Sequence, residues 1–172
     1  MRVTILIWLL ILFYSVSCNN TSDKSVNTQK RSKDELADLN SYLVQKDRER
    51  IQNYFERKNL PMKETPSGLW FYIRKEGSGT FFTDNDKISV DYVCSLLDGT
   101  ECYNSDKLGP RDYNLGKSEI EAGLNEGLRL LKPGGEAIFI LPPFLAYGLA
   151  GDGKSIPSRA ILVYDIKIRD VN

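Results

Sequence analysis

Short segments in which apolar and polar residues alternate, separated by glycine-containing turns, most strongly limit the fold of this chain. Leu69, Phe71 and Ile73 share one parity, as in a strand with one face on a core. Asp98-Gly99 is a hairpin signal because glycine tolerates positive φ. The same patterns predict further strands at Ile88 to Tyr92, Glu136 to Leu141 and Ala160 to Arg169.

One helical segment interrupts these strands. Its apolar stripe carries two glycines, Gly123 and Gly127, which allow another segment to approach closely, and Pro133-Gly134-Gly135 ends it. The stripe consists of Ile120, Leu124, Leu128 and Leu131. Many strands around one short helix predict an α+β domain with an antiparallel sheet.

The composition excludes several classes of site. The chain has 172 residues, 23 basic and 23 acidic side chains, and no histidine. Ser-His-Asp and Cys-His nucleophilic sites, His-ligated zinc and a histidine general base are therefore excluded. Zero net charge argues against a nucleic-acid partner, and three cysteines are not spaced for a zinc site. We expect no metal, no cofactor and no acid–base catalysis at neutral pH.

Residues 1–17 predict a secretory signal peptide, because Arg2 precedes the apolar segment Val3 to Phe13. That segment is shorter than the ~20 residues that cross a bilayer. Small residues precede Cys18, and the segment that ends at Cys18 resembles a bacterial lipobox, although Ser15 stands where leucine is usual. The resemblance implies cleavage before Cys18 and lipid attachment, hence a membrane-anchored protein of the bacterial cell envelope, periplasmic or surface-exposed, with the outer membrane favoured. The alternative is an ordinary signal peptide followed by an incidental cysteine.

Two segments separate this signal from the strands. Residues 18–31 are polar and lack periodicity, which predicts a flexible tether. Ser32 to Glu35 form a capping box that begins a helical neck, residues 32–60, with the helix from about Lys33 to Lys58. The neck either packs on its own domain or leaves its apolar stripe for self-association as a homodimer or for contact with a client. The stripe consists of Leu36, Leu39, Leu43, Ile51, Tyr54 and Phe55.

The carboxy-terminal part resembles FKBP-type peptidyl-prolyl cis–trans isomerases over about Gly68 to Val171, within a domain that we place at residues 66–172. No single tripeptide is specific, but eight segments occur in the order and at the spacing seen in that family. They are Val90-Asp91-Tyr92, Leu97-Asp98-Gly99, Leu115-Gly116-Lys117, Glu126-Gly127, Lys132-Pro133-Gly134, Ala146-Tyr147-Gly148, Ile156-Pro157 and Leu162 to Ile166. The order of these segments, a signal peptide followed by a helix and this domain, is similar to that of envelope isomerase lipoproteins, including the gliding-motility-associated type.

The resemblance implies an antiparallel sheet wrapped around one short helix and an isomerase that acts on X-Pro bonds of envelope proteins. The partners that the resemblance implies are proline-containing polypeptides. Rotation about X-Pro has a barrier of ~18–20 kcal/mol, set mainly by amide resonance. An apolar cleft that removes water from the amide favours the twisted transition state without proton transfer, which suits a chain that lacks histidine.

The resemblance also implies the site residues. Tyr147 would donate its hydroxyl to a substrate carbonyl, and the backbone N–H of Glu121 would hold a second carbonyl, so that the Glu121 side chain need not matter. Tyr92 and Tyr103 complete the catalytic set, and Leu124 replaces a tryptophan floor. The substrate-binding residues implied are Cys102, Tyr113, Ile120, Leu124, Ile156 and Tyr164.

One departure from the family pattern favours a second function. Cys102-Tyr103 stands where Phe-Asp is usual, and the arginine that often pairs with that aspartate has no clear counterpart in Asn104 to Gly109. Losing both members of a buried pair is less disruptive than losing one. The alternative to the isomerase is a non-catalytic chaperone or assembly factor that holds proline-containing segments in the same cleft.

Overall fold

The computed structural model describes residues 22–117 and 119–169. The described residues divide between two units, with the boundary between Val44 and Gln45. In chain order, the elements are helix α1 (Ser22–Arg57), β1 (Lys63–Glu64), β2 (Trp70–Lys75), β3 (Lys87–Leu96), β4 (Glu101–Asn104), α2 (Ser105–Leu108), β5 (Arg111–Asn114), α3 (Ala122–Leu128), β6 (Glu136–Leu141), a 3-10 turn (Pro143–Leu145) and β7 (Leu162–Ile168).

The strands form one antiparallel sheet in the order β1-β2-β6-β7-β3-β4. The long strand β3 pairs with β7 along one edge. Along its other edge, β3 pairs first with β5 and then with β4. The α+β class and the antiparallel sheet expected from the sequence are confirmed, and β3 brings β4 and β5 to the same side of the sheet.

Helix α3 packs on the inner face of the sheet. Gly127 has to be small, because a Cβ there would lie 2.9 Å from the ring of Phe139. Gly123 also has to be small, because a Cβ there would lie 2.7 Å from Leu141 Cγ. The close approach predicted from these two glycines is confirmed, and it buries Leu124 completely in the core.

The other face of the sheet is covered by the end of α1, within the unit of residues 45–172. Ile51 is fully buried, and the ring of Phe55 lies 5.0 Å from that of Trp70. Asp47 is buried as well, and its carboxylate forms an ion pair of 2.8 Å with Arg159. The final turns of the predicted neck therefore pack on the sheet of their own domain.

Helix α1 begins at Ser22, not at about Lys33, so the prediction of a flexible tether is wrong for residues 22–31. The physical reason is that residues 22–57 contain neither glycine nor proline, and the capping box does not stop a helix from continuing upstream. Leu36 and Leu39 are 62% and 53% exposed. Among the described residues, no helix has the length and apolar character needed to cross a membrane. The predicted signal peptide and Cys18 lie outside those residues.

Candidate functional site

A cleft of about 360 Å³ opens on the side of the sheet where β3, β4 and β5 meet. Three of the predicted site residues, Tyr92, Tyr103 and Tyr147, line it together. The remaining lining residues are Leu108, Arg111, Asp152 and Lys154. Three charged groups among seven lining residues make this cleft more polar than the apolar site expected from the sequence.

Local structure fixes Tyr92 and the short helix beside it. Tyr92 lies in β3, and its backbone N–H donates to the hydroxyl of Ser105 in α2 over 2.9 Å. The Tyr92 side chain is buried, with its ring centroid 6.4 Å from that of Tyr164 in β7. The inner end of the cleft therefore rests on tyrosine rings anchored in two paired strands.

Glu121 brings a carboxylate under this cleft. The residue is 8% exposed, and the hydroxyl of Tyr164 donates to its Oε1 over 2.8 Å. Its Oε2 is buried and has no hydrogen-bond partner among the described residues. The Glu121 side chain thus has a structural role of its own, because a buried carboxylate depends on the few donors around it, and the backbone role toward substrate stays a prediction. Sequence comparison with the family pattern gave Glu121 a backbone role and left its side chain unassigned.

The tyrosine hydroxyls of the site are held in their protonated form. Burial raises the pKa of Tyr147, and hydrogen bonding to the Glu121 carboxylate together with its charge raises it further. Burial likewise raises the pKa of Tyr92, Tyr113 and Tyr164. These phenols are hydrogen-bond donors at neutral pH, which is the form that a carbonyl-binding role requires.

Tyr103 connects β4 to the loop on the far side of the cleft. Its hydroxyl donates to Oδ2 of Asp152. Oδ1 of Asp152 accepts from the backbone N–H groups of Lys154 and Ile156, at 2.9 and 2.8 Å. Tyr103 thus does not take the role of an aspartate in the cleft but reaches one on the opposite loop.

Arg111 is one of four residues of the cleft that the sequence analysis did not predict, together with Leu108, Asp152 and Lys154. It lies two positions before Tyr113 in β5, with its guanidinium 5.4 Å from the centroid of the Tyr113 ring. Residues two apart in a strand share a face, so the signal was present in the alternation of β5.

The other predicted substrate-binding residues form the layer beneath the cleft rather than its open walls. Tyr113, Leu124, Ile156 and Tyr164 are buried in the main core, and Ile120 and Cys102 are partly buried against it. The structure therefore brings the predicted residues into one cluster but leaves only three of them at the open surface.

The two cysteines of the hairpin are free thiols. Burial raises the pKa of the Cys94 thiol to about 12, so it is not a nucleophile at neutral pH. A register shift makes Cys94 pair with Tyr103 rather than with Cys102. Among residues 22–117 and 119–169, no group of three cysteine, aspartate or glutamate side chains could hold a metal ion.

Residues 79–169, more than half of the chain, match the family model of the FKBP-type peptidyl-prolyl cis-trans isomerase. The chain is 40% identical over 115 residues to the isomerase FkpA of Buchnera aphidicola subsp. Baizongia pistaciae, which covers 66% of the chain and 45% of that protein. It is 36% identical over 115 residues to FkpA of Escherichia coli strain K12, covering 66% of the chain and 42% of that protein. The chain thus spans less than half the length of these two relatives.

Two solved structures have the same fold. The crystal structure of FkpA from Escherichia coli superposes with a TM-score of 0.62 at 25% identity, covering 98% of this chain and 81% of that one. The crystal structure of AtFKBP13 superposes with a TM-score of 0.58 at 29% identity, covering 62% and 94%. The match to the family model, with the cleft of three tyrosines built on its sheet, shows that the chain belongs to the family of FKBP-type peptidyl-prolyl cis–trans isomerases.

Proposed function

We propose that the protein catalyses cis–trans isomerisation of X-Pro bonds in proteins of the bacterial cell envelope and so assists their folding. The observation that carries this proposal is the cleft of Tyr92, Tyr103 and Tyr147 within a domain of this family. When a proline-containing segment enters the cleft, its contacts with water are replaced by contacts with tyrosine rings. Desolvation favours the twisted amide, which has lost resonance and carries less charge separation than the planar form.

Hydrogen bonds then hold the segment in place. The hydroxyl of Tyr147 donates to one substrate carbonyl, and the backbone N–H of Glu121 donates to a second. Before the substrate enters, burial raises the pKa of Tyr147, and the Glu121 carboxylate, as a nearby hydrogen-bond acceptor, raises it further. The substrate carbonyl therefore competes with Glu121 for this hydroxyl, and a bond that strengthens in the transition state increases the rate.

Tyr147→Phe removes this donor and leaves the ring. A neutral hydrogen bond contributes about 0.5–1.5 kcal/mol, so we expect kcat/KM on X-Pro peptides to fall by about tenfold or less. The measurement is a protease-coupled or NMR-exchange isomerase assay on protein shown to be folded. Tyr72→Phe makes the same change in β2, outside the cleft, and is the matched control. A loss greater than a hundredfold would contradict a simple donor role.

A non-catalytic chaperone or assembly factor is the second candidate function. The polarity of the cleft is the observation in its favour, because Tyr103 is hydrogen-bonded to Asp152 and the Glu121 carboxylate lies beneath the cleft. Such a factor would bind proline-containing peptides without accelerating their isomerisation. Turnover by the wild-type protein in the assay above decides between the two functions.

We propose further that Cys18 carries a lipid that anchors the protein in the envelope, with the outer membrane as the favoured membrane. The support is the signal-like sequence before Cys18 and its resemblance to a lipobox. Two or three acyl chains anchor a protein stably, whereas one does not. Cys18→Ser is expected to move the protein from the membrane to the soluble envelope fraction, measured by fractionation and mass spectrometry. Unmodified wild-type protein in the soluble fraction would contradict this.

We also propose that the upstream part of α1 mediates homodimer formation. Leu36 and Leu39 lie three positions apart on the helix, and both are exposed. Apolar residues at this spacing share a face of the helix, which a second copy would cover. Analytical ultracentrifugation of the protein measures the oligomeric state, and a monomer at micromolar concentration would contradict the proposal.

A further inference from the structure

Arg111 contributes a positive charge to the cleft without an ion-pair partner. Its side chain is partly buried and lines the cleft, and its guanidinium lies over the ring of Tyr113. No carboxylate among the described residues comes within ion-pair distance of it. A partly desolvated guanidinium keeps up to five N–H donors that water alone satisfies poorly.

The two carboxylates nearest the cleft already accept hydrogen bonds from other groups of the protein. Asp152 accepts three hydrogen bonds, one from the Tyr103 hydroxyl and two from backbone N–H groups. Glu121 lies beneath the cleft, accepts from Tyr164 and does not line the open surface. Its charge offsets part of the positive potential without an ion pair to Arg111, and the guanidinium hydrogen-bonds Tyr147 with some of its five donors left over.

The second cation of the cleft is Lys154. It lies on the same loop as Asp152, is exposed, and has no carboxylate within ion-pair distance among the residues that the structure describes. The groups of the cleft that remain available to a ligand are therefore tyrosine rings and two cations. Arg111 is the stronger of the two cations because its planar fork matches the two oxygens of a carboxylate.

We propose that Arg111 is a specificity-determining residue that selects client segments with an acidic side chain directly before or after the proline. This inference rests on the proposed function, since it places a proline-containing segment in the cleft. The client carboxylate receives N–H bonds from Arg111, and Lys154 adds a second, weaker attraction. A client glutamine at the same position makes fewer and weaker bonds, and a client lysine is repelled.

The test compares short peptides that differ only in the residue next to the proline. Glutamate, glutamine and lysine are each placed before it and, in a second set, after it. We expect kcat/KM for the glutamate peptide to exceed that for glutamine by about tenfold in at least one set at low ionic strength. The ratio is expected to shrink in high salt, because screening weakens an accessible ion pair.

Variants of Arg111 identify the residue that produces the preference. Arg111→Gln is expected to reduce the glutamate-to-glutamine ratio to about one or two, and Arg111→Lys to retain an intermediate ratio because it keeps the charge without the fork. Arg57→Gln is the matched control, since Arg57 is exposed at the end of α1 and does not line the cleft. Circular dichroism establishes that each variant is folded.

Binding measurements separate this inference from the proposed activity. The dissociation constants of the same peptides are obtained by NMR titration of the wild-type protein. If no peptide is isomerised, the proposed activity fails, and tighter binding of the glutamate peptide still supports the specificity. Equal dissociation constants for glutamate and glutamine in both sets, or a preference that persists in Arg111→Gln, would overturn it.

Discussion

Leu124→Ala is expected to lower the free energy of unfolding by about 2–5 kcal/mol, because it removes a large apolar side chain from a fully packed site. Leu124 is 0% exposed and lies on the face of α3 that packs against the sheet. The glycines on either side let the helix approach so closely that the surrounding backbone has little freedom to fill the cavity. The measurement is urea unfolding followed by circular dichroism.

Leu149→Ala is the matched control for this change. Leu149 is 73% exposed and lies in the loop after Tyr147. The same atoms are deleted there without a cavity, so we expect a change within about 0.5 kcal/mol. Equal losses for the two variants would show that Leu124 does not pack as described. Since the Leu124 variant also opens the layer beneath the cleft, its isomerase activity has to be compared at a temperature where it is folded.

Tyr164→Phe is expected to cost about 1–3 kcal/mol of stability, because it removes the hydroxyl that donates to Oε1 of the buried Glu121 carboxylate. Tyr164 donates to Glu121 Oε1 over 2.8 Å, and Oε2 already lacks a partner among the described residues. The change deletes a single oxygen and leaves the aromatic ring in the core. The loss in the free energy of unfolding therefore reports the contribution of the hydroxyl group rather than that of the packed ring.

A double-mutant cycle with Glu121→Gln tests whether the pair acts as a unit. Glutamine keeps an acceptor for Tyr164 but removes the charge, so Tyr164→Phe is expected to cost less in that background than in the wild type. Additive losses would contradict a direct interaction between the two side chains. The cycle is read from urea unfolding at a fixed pH.

Much of the fold could be predicted because its signals are local. Alternating apolar residues indicate the strands, and Asp98-Gly99 indicates the turn between β3 and β4. The glycine pair in α3 indicates close packing, which the Phe139 ring provides. Tyr92, Tyr103 and Tyr147 could be placed together because the family resemblance fixes their order along the chain.

What could not be predicted depends on contacts between distant residues. Tyr164 and Glu121 are 43 positions apart, so nothing in the sequence around Glu121 shows where its side chain goes. The ion pair between Asp47 and Arg159 joins residues 112 positions apart. The start of α1 differs from the prediction for the opposite reason, because the capping signal at Ser32 is local, whereas the lack of glycine and proline upstream lets the helix begin at Ser22.

The pH dependence of isomerisation between about pH 6 and 8 tests the central claim, that catalysis uses desolvation and hydrogen bonds without proton transfer. The pKa of Tyr92 and of Tyr147 is raised above the ordinary value for tyrosine, chiefly by burial, so both stay protonated. Burial opposes ionisation of Asp152, but hydrogen bonds from Tyr103 and two backbone N–H groups lower its pKa, so it stays charged. We therefore predict a kcat/KM for an X-Pro peptide that does not change over this range. A bell-shaped profile would contradict the account, because it requires an acid and a base that titrate near neutral pH.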